Sequence, residues 1–223
     1  MSEIGDNSGS RVPWAVAVDV VIFTVDGERL FARLLRRGKS PYVGQWALPG
    51  ALLADEESPS EGARRVLRER LGMPGVYLEQ LYSFGAPDRD PRGRVVSVAY
   101  FALIPATAEA GTEQATQQWH DVRALPPLAF DHGRILALAH RRLAAKLRYS
   151  TIAFQLMPER FTLSQLQSVY ETIGGETLDK RNFRKRIRAL DCIEPTDELD
   201  RSGNHRPARL YRLKVPGEVN IIR

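Results

Sequence analysis

The chain has 223 residues, 43% of them hydrophobic, with a formal net charge of +5 and one cysteine, Cys192. That is room for one large domain or two small ones with a real core, and a lone thiol excludes an intramolecular disulfide framework and fits a reducing compartment. No run of 18 apolar residues is present, which excludes a membrane-spanning helix.

The opening stretch "MSEIGDNSGS" is polar and rich in Gly and Ser. It lacks the basic start and apolar segment of a signal peptide, so residues 1–11 are expected to be a disordered arm of a bacterial cytoplasmic protein. "WAVAVDVVIFTVDGERLFARLLRRG" (14–38) predicts two strands around Asp26-Gly27, a strong hairpin signal. "QWALPGALL" is a short strand running into a turn. Ser58-Pro59-Ser60-Glu61 then starts a helix, with Ser58 as cap, Pro59 in the first turn and Glu61 closing a capping box. Gly72 stops it. Strands follow over 76–85 and 94–105, separated by the polar loop "APDRDPRG". Residues 131–150 predict an amphipathic helix with Asp131 as its cap. Strands interleaved with helices make residues 12–150 an α/β domain with a mixed sheet.

The tail changes character. "TIAFQLMPE" predicts a short helix stopped before Pro158. Residues 162–175 predict a helix capped by Thr162 and ended by Gly174-Gly175. "LDKRNFRKRIRAL" predicts a third, capped by Asp179. The stretch from Ile193 onward alternates around "RSGN" as a hairpin. Helix, helix, helix and hairpin is the order of a winged helix-turn-helix, here residues 151–223. Residues 180–188 place six basic side chains in nine positions with no acid. Such a run is often only a solvated helix face. Here Phe183, Ile187 and Leu190 recur at helical spacing as the buried stripe. That leaves Arg181, Lys185 and Arg188 on the opposite face, with Asn182 at its edge. Recognition helices read the major groove mainly from their first turns. Arg181 and Asn182 are therefore expected to contact bases. Lys180, Lys185, Arg188 and the hairpin residues His205, Arg206 and Arg209 are expected to contact phosphates or the minor groove of double-stranded DNA.

The stretch "GALLADEESPSEGARRVLRERLGM" (50–73) resembles a Nudix box. Aligned on Gly72, Arg65 takes the box arginine, Glu57 its first glutamate and Glu69 the first of its paired glutamates. Three positions depart: Ala51 for glycine, Val66 for the glutamate after the arginine, and Arg70 for the last glutamate. Diphosphate hydrolysis in that fold needs several carboxylates on one helix face to hold Mg²⁺. Glu57 and Glu69 alone would bind one ion weakly, so no metal is expected to be required and no catalytic residue is assigned. The alternative for Glu57, Arg65 and Glu69 is a buried or half-buried ion network that only braces the loop, in which Arg65, four residues before Glu69, can pair with it on one helix face.

A degenerate Nudix box before such a tail is similar to the NrtR family of Nudix-related regulators. The stretches "LYSFGAPDRDPRGRVVSVAY", "MPERFTLSQLQSVYE", "LDKRNFRKRIRAL" and "GNHRPARLYRL" carry the resemblance. It implies a homodimeric repressor of NAD-biosynthesis and salvage genes, binding a palindromic operator and sensing ADP-ribose or a related NAD metabolite. It also implies a ligand cleft facing residues 35–50. There Arg37, Lys39 and Arg65 would meet phosphates, with Glu57 and Glu69 nearby. "DRDPRG" (88–93) would contribute from the same subunit or from the dimer partner. Trp46 would stack on a base, brace the turn or belong to the core. Two other readings stand beside it. One is a Mg²⁺-dependent ADP-ribose or NADH pyrophosphatase with an appended nucleic-acid module. The other is a general nucleic-acid-binding protein without a ligand.

Overall fold

The computed structural model describes residues 14–106, 115–201 and 207–222. Its first half is built on β1 (Ala15–Asp26), whose sequence is nearly continuous apolar because the strand is central and covered on both faces. Gly27, in the left-handed region at φ 57°, turns the chain into β2 (Arg29–Arg36), antiparallel to β1. Short β3 (Trp46–Ala47) and β4 (Gly50–Leu52) pair with β2 and β1. β5 (Tyr77–Phe84) and β6 (Val95–Leu103) form an antiparallel pair, and β6 runs parallel to β1. The sheet order is β3-β2-β1-β6-β5. β7 (Gln117–Asp121) adds to β2 and was not foreseen from the sequence.

Alternation along β1 sorts its side chains between two packing layers. Val18, Val20 and Ile22 meet Ala63, Val66 and Leu67 of the helix α1. Val21 and Phe23 meet Ile135, Leu136 and Ala139 of α2 (His132–Lys146) on the other side. α1 begins at Pro59–Arg65 with the expected capping box of Ser58 and Glu61, and its last turn, Val66–Arg70, is a π-helix. Asp131 is not a side-chain cap of α2; its carboxylate is taken by Arg89, 2.8 Å away.

The tail folds as expected, with one difference. Its first helix is a 3₁₀ turn, Ile152–Leu156, too short before Pro158 to settle into α geometry. α3 (Leu163–Gly174) has the capping box Thr162–Gln165 and ends on Gly175 at φ 73°. α4 (Lys180–Ala189) is capped by Asp179, which accepts from the Asn182 amide at 2.8 Å. β8 (Ile193–Asp200) and β9 (Ala208–Leu213) form the hairpin. The arm 1–11, His205 and Arg206 lie outside the described residues.

The winged helix packs onto the sheet domain. One apolar cluster runs from Val21, Phe23 and Leu136 through Leu156 and Phe161 to Leu166, Tyr170 and Ile187. At the joint, the Arg186 guanidinium donates to the Leu147 carbonyl at the end of α2, 3.1 Å away, and lies over the Tyr170 ring. The C-terminal residues return to the same place: the Ile222 amide donates to the Tyr149 carbonyl, and the Thr151 amide to that of Asn220.

Candidate functional site

The box residues do not assemble a metal centre. Arg65 grips both oxygens of Glu57, at 2.6 and 2.7 Å, and also donates to the Leu52 carbonyl. The hydrogen bonds from Arg65, set only partly against desolvation, hold the Glu57 carboxyl at about 2. The expected bond between Arg65 and Glu69 is therefore corrected. The π turn widens the helix between them, because its bonds span five residues rather than four, and this breaks the α-helical spacing that would stack the two side chains. Glu69 instead lies exposed, 3.8 Å from Arg68. Among the described residues, no three His, Cys, Asp or Glu side chains form a group able to hold a metal ion. Mg²⁺ wants near-octahedral oxygen ligands, and a glutamate clamped by arginine plus one flanked by Arg68 and Arg70 do not fit it. Val66, at a lost glutamate position, is 1% exposed inside the α1 core layer. Val66→Glu is expected to lower unfolding free energy by about 2–3 kcal/mol, since a carboxyl there has no polar partner. Chemical denaturation checks this, and unchanged stability would contradict the placement.

Beside the box lies a cavity of about 550 Å³, within the range of small-molecule sites. β2 and the loop after it supply Arg36, Arg37 and Lys39. The loop between β5 and β6 supplies Arg89, Asp90 and Arg92, and α1 supplies Arg70. Leu35, Leu48, Val95 and Phe130 give it an apolar wall. Arg37 stacks on Phe130 at 4.6 Å and donates to the Pro41 carbonyl at 2.7 Å. Burial first and the neighbouring Arg92 second push its guanidinium below the ordinary value, against the opposing pull of Asp90 and Asp19. Of the residues expected to meet a ligand, Arg37 and Lys39 line this cavity. Trp46, Glu57, Arg65 and Glu69 do not. Trp46 is half-buried, edge-on to His120 at 4.6 Å, and packs against the core as the core alternative had it.

Residues 88–93 bring Arg89, Asp90 and Arg92 to the cavity as the sequence suggests, but sequence reasoning missed Asp19 and His132 on its floor. Asp19, buried in mid-strand, accepts from Ser97 at 2.6 Å and Arg89 at 3.2 Å, and its other oxygen is 3.4 Å from His132 Nε2. His132 Nδ1 accepts the Leu48 amide at 2.9 Å, which leaves the ring proton on Nε2, facing Asp19. Burial alone would raise the Asp19 carboxyl; His132, Ser97 and Arg89 outweigh it and hold it at about 2. Arg89 also holds Asp131. Gly50 is required here: a Cβ would meet an Asp19 carboxylate oxygen at 2.4 Å and the Val18 carbonyl at 2.7 Å. A polar residue in the middle of a buried strand was the available signal, and it was not taken.

The second site is the face of α4. Phe183 and Ile187 are buried and Leu190 is half-buried, as its periodicity predicts. Lys180, Arg181, Asn182, Lys185 and Arg188 are all exposed, and Arg209 on β9 is exposed too. The remaining two basic residues of the run are engaged by other parts of the chain. Arg186 is held at the domain joint, and Arg184 donates to Ser164 at 3.4 Å.

The NUDIX domain family model matches residues 13–139, and the NrtR DNA-binding winged helix domain matches residues 153–213. An ADPR responsive transcriptional repressor, NtrR, of Acinetobacter baylyi is 41% identical over 206 residues, spanning 90% of this chain and 82% of its own. The crystal structure of Shewanella oneidensis NrtR complexed with a 27mer DNA superposes with a TM-score of 0.82 at 34% identity, over 89% of this chain and 93% of that one. The Nudix domain of the same protein, complexed with ADP ribose, matches with a TM-score of 0.52 at 30% identity, over 61% of this chain and 94% of that one.

Proposed function

We propose, from the premise that this chain belongs to the NrtR family, that it is a DNA-binding transcriptional repressor whose Nudix domain senses ADP-ribose. The observation that carries this reading is the coexistence in one chain of a cation-lined cavity beside a degenerate Nudix box and an exposed basic recognition helix. Two phosphates of a nucleoside diphosphate sugar match the cations around the cavity, and its apolar wall suits a base or ribose. The operator is read by α4 with the hairpin as wing. A homodimer places two such helices on an inverted repeat with half-sites about one or two helical turns apart. Control of NAD-biosynthesis and salvage genes follows the logic of sensing a product of NAD breakdown.

The route between the sites is α2. Its first residue, His132, lines the cavity floor and the preceding Asp131 is held by Arg89 of that floor; the carbonyl at its C-terminal end, Leu147, accepts from Arg186 of the recognition helix. Fifteen residues make a rod of about 22 Å. A ligand moves such a rod only if it binds two arrangements with unequal affinity. A gel shift of the full chain on its operator, with and without ADP-ribose, tests this. Operator affinity is expected to change at least about fivefold; sequence-specific binding indifferent to ADP-ribose would overturn the sensing role. Hydrolysis of ADP-ribose with Mg²⁺ is expected to be negligible. Robust turnover abolished by Glu69→Gln would instead make the chain an enzyme.

A further inference from the structure

We infer that Arg70 takes the place of the divalent metal in this cavity, holding the ligand's diphosphate directly, so that recognition is metal-independent. The inference rests on the reading of the cavity as an ADP-ribose site. It starts from position: of the charged residues in the box, Arg70 lines the cavity, whereas Glu57, Arg65 and Glu69 do not. The π turn ends at Arg70. Its side chain is exposed, and among the described residues no ion pair engages it. Of the other cations, Lys39 is likewise exposed and in no ion pair among the described residues, but it stands on the loop after β2 and not on the box helix; the rest are engaged. Arg89 answers Asp19 and Asp131, Arg92 answers Asp90, and Arg36 and Arg37 donate to the Gly44 and Pro41 carbonyls.

The chemistry follows from what a metal does for a diphosphate. It neutralises the oxygens, and it also orients an attacking water. A guanidinium does the first: its planar fork matches two phosphate oxygens and carries a fixed charge. It cannot do the second, because it is only a donor and binds no hydroxide. Replacing a carboxylate by arginine at this position therefore removes a metal ligand and supplies the positive charge the metal would have brought. Val66 removes a second ligand, so the box as a whole loses the carboxylates that cleavage needs while Arg70 keeps the charge that binding needs. Glu57, clamped by Arg65, braces the loop after β4 rather than the ligand.

Calorimetry of ADP-ribose on the full chain, in EDTA and in Mg²⁺, tests this with Arg70→Ala and Arg70→Glu beside the parent. The parent is expected to bind equally in both buffers. Arg70→Ala should weaken binding about 10- to 100-fold in both, the size of one charge-assisted contact. Arg70→Glu should weaken it further in EDTA. Unaltered operator binding by both variants without ligand shows that the fold is intact. A parent that needs Mg²⁺, or an Arg70→Ala variant that binds like the parent, overturns the role of Arg70 and leaves the ligand assignment standing. A parent that binds in neither buffer overturns both.

Discussion

Arg89→Ala is expected to destabilise the protein by about 3–5 kcal/mol, the cost of removing one member of a buried ion network and leaving its partners unanswered. Arg89 joins β1, the loop before β6 and the start of α2, by contacts to Asp19 at 3.2 Å and Asp131 at 2.8 Å, with all three side chains almost wholly buried. Deleting the guanidinium strands two nearly buried carboxylates without their shared partner. The midpoint of urea unfolding should fall with little change in slope. A loss under about 1 kcal/mol would mean that water or a neighbouring cation replaces it. The same network gives a pH signature. The Asp19 carboxyl sits at about 2 in the folded chain against 3.8 as its ordinary value. The unfolded chain therefore takes up this proton first as the solution is acidified. The stabilisation is complete above about pH 4 and disappears as the pH falls toward 2, amounting to about 2 kcal/mol. Asp19→Asn should flatten that stretch of the stability profile.

Operator affinity is expected to fall about 10⁴-fold between 50 and 200 mM salt. Lys180, Lys185 and Arg188 are exposed on α4 beside Arg181 and Asn182, and Arg209 is exposed on β9 of the hairpin. Two protomers offer about eight phosphate contacts, a log–log slope near −7. Arg209→Ala should flatten that slope by about 2 units in the dimer and weaken all DNA alike. Arg181→Ala should act differently, costing about 1–3 kcal/mol on the operator and little on unrelated DNA. Fluorescence anisotropy across a salt series separates the two. An Arg181→Ala variant that keeps its operator preference, or an Arg209→Ala variant with the parent's slope, would displace the DNA face from α4 and its wing.

What was legible in the sequence was local. The caps Ser58, Thr162 and Asp179, the turn at Gly27 and the buried stripe Phe183–Ile187 depend on residues within a few positions of one another, and all are found. What was not legible depends on chain topology. Asp19 meets Arg89 and His132 because β1 lies beside β6 and under the start of α2, a proximity no spacing records. Asp131 looks like a cap until a buried arginine competes for it. Strand β7 reads "QQWHD", without the alternation that marks a strand, because every residue in it is half-buried. The Arg65–Glu69 pairing failed for a subtler reason: an α-helical register was assumed through a turn that is π-helical.

The unbroken apolar cluster across the two halves sets how the protein melts and how it can be rebuilt. Leu163, Leu166, Tyr170 and Ile173 of α3 share one interior with Leu136 and Ala139 of α2, with the C-terminal residues laid back over the seam. Halves joined in this way are expected to lose structure in a single cooperative transition, not two. The sensor is for the same reason no interchangeable cassette: grafting this winged helix behind a foreign Nudix domain would require recutting the α2 surface beneath it, or the graft would carry a sticky, half-solvated wall into solution.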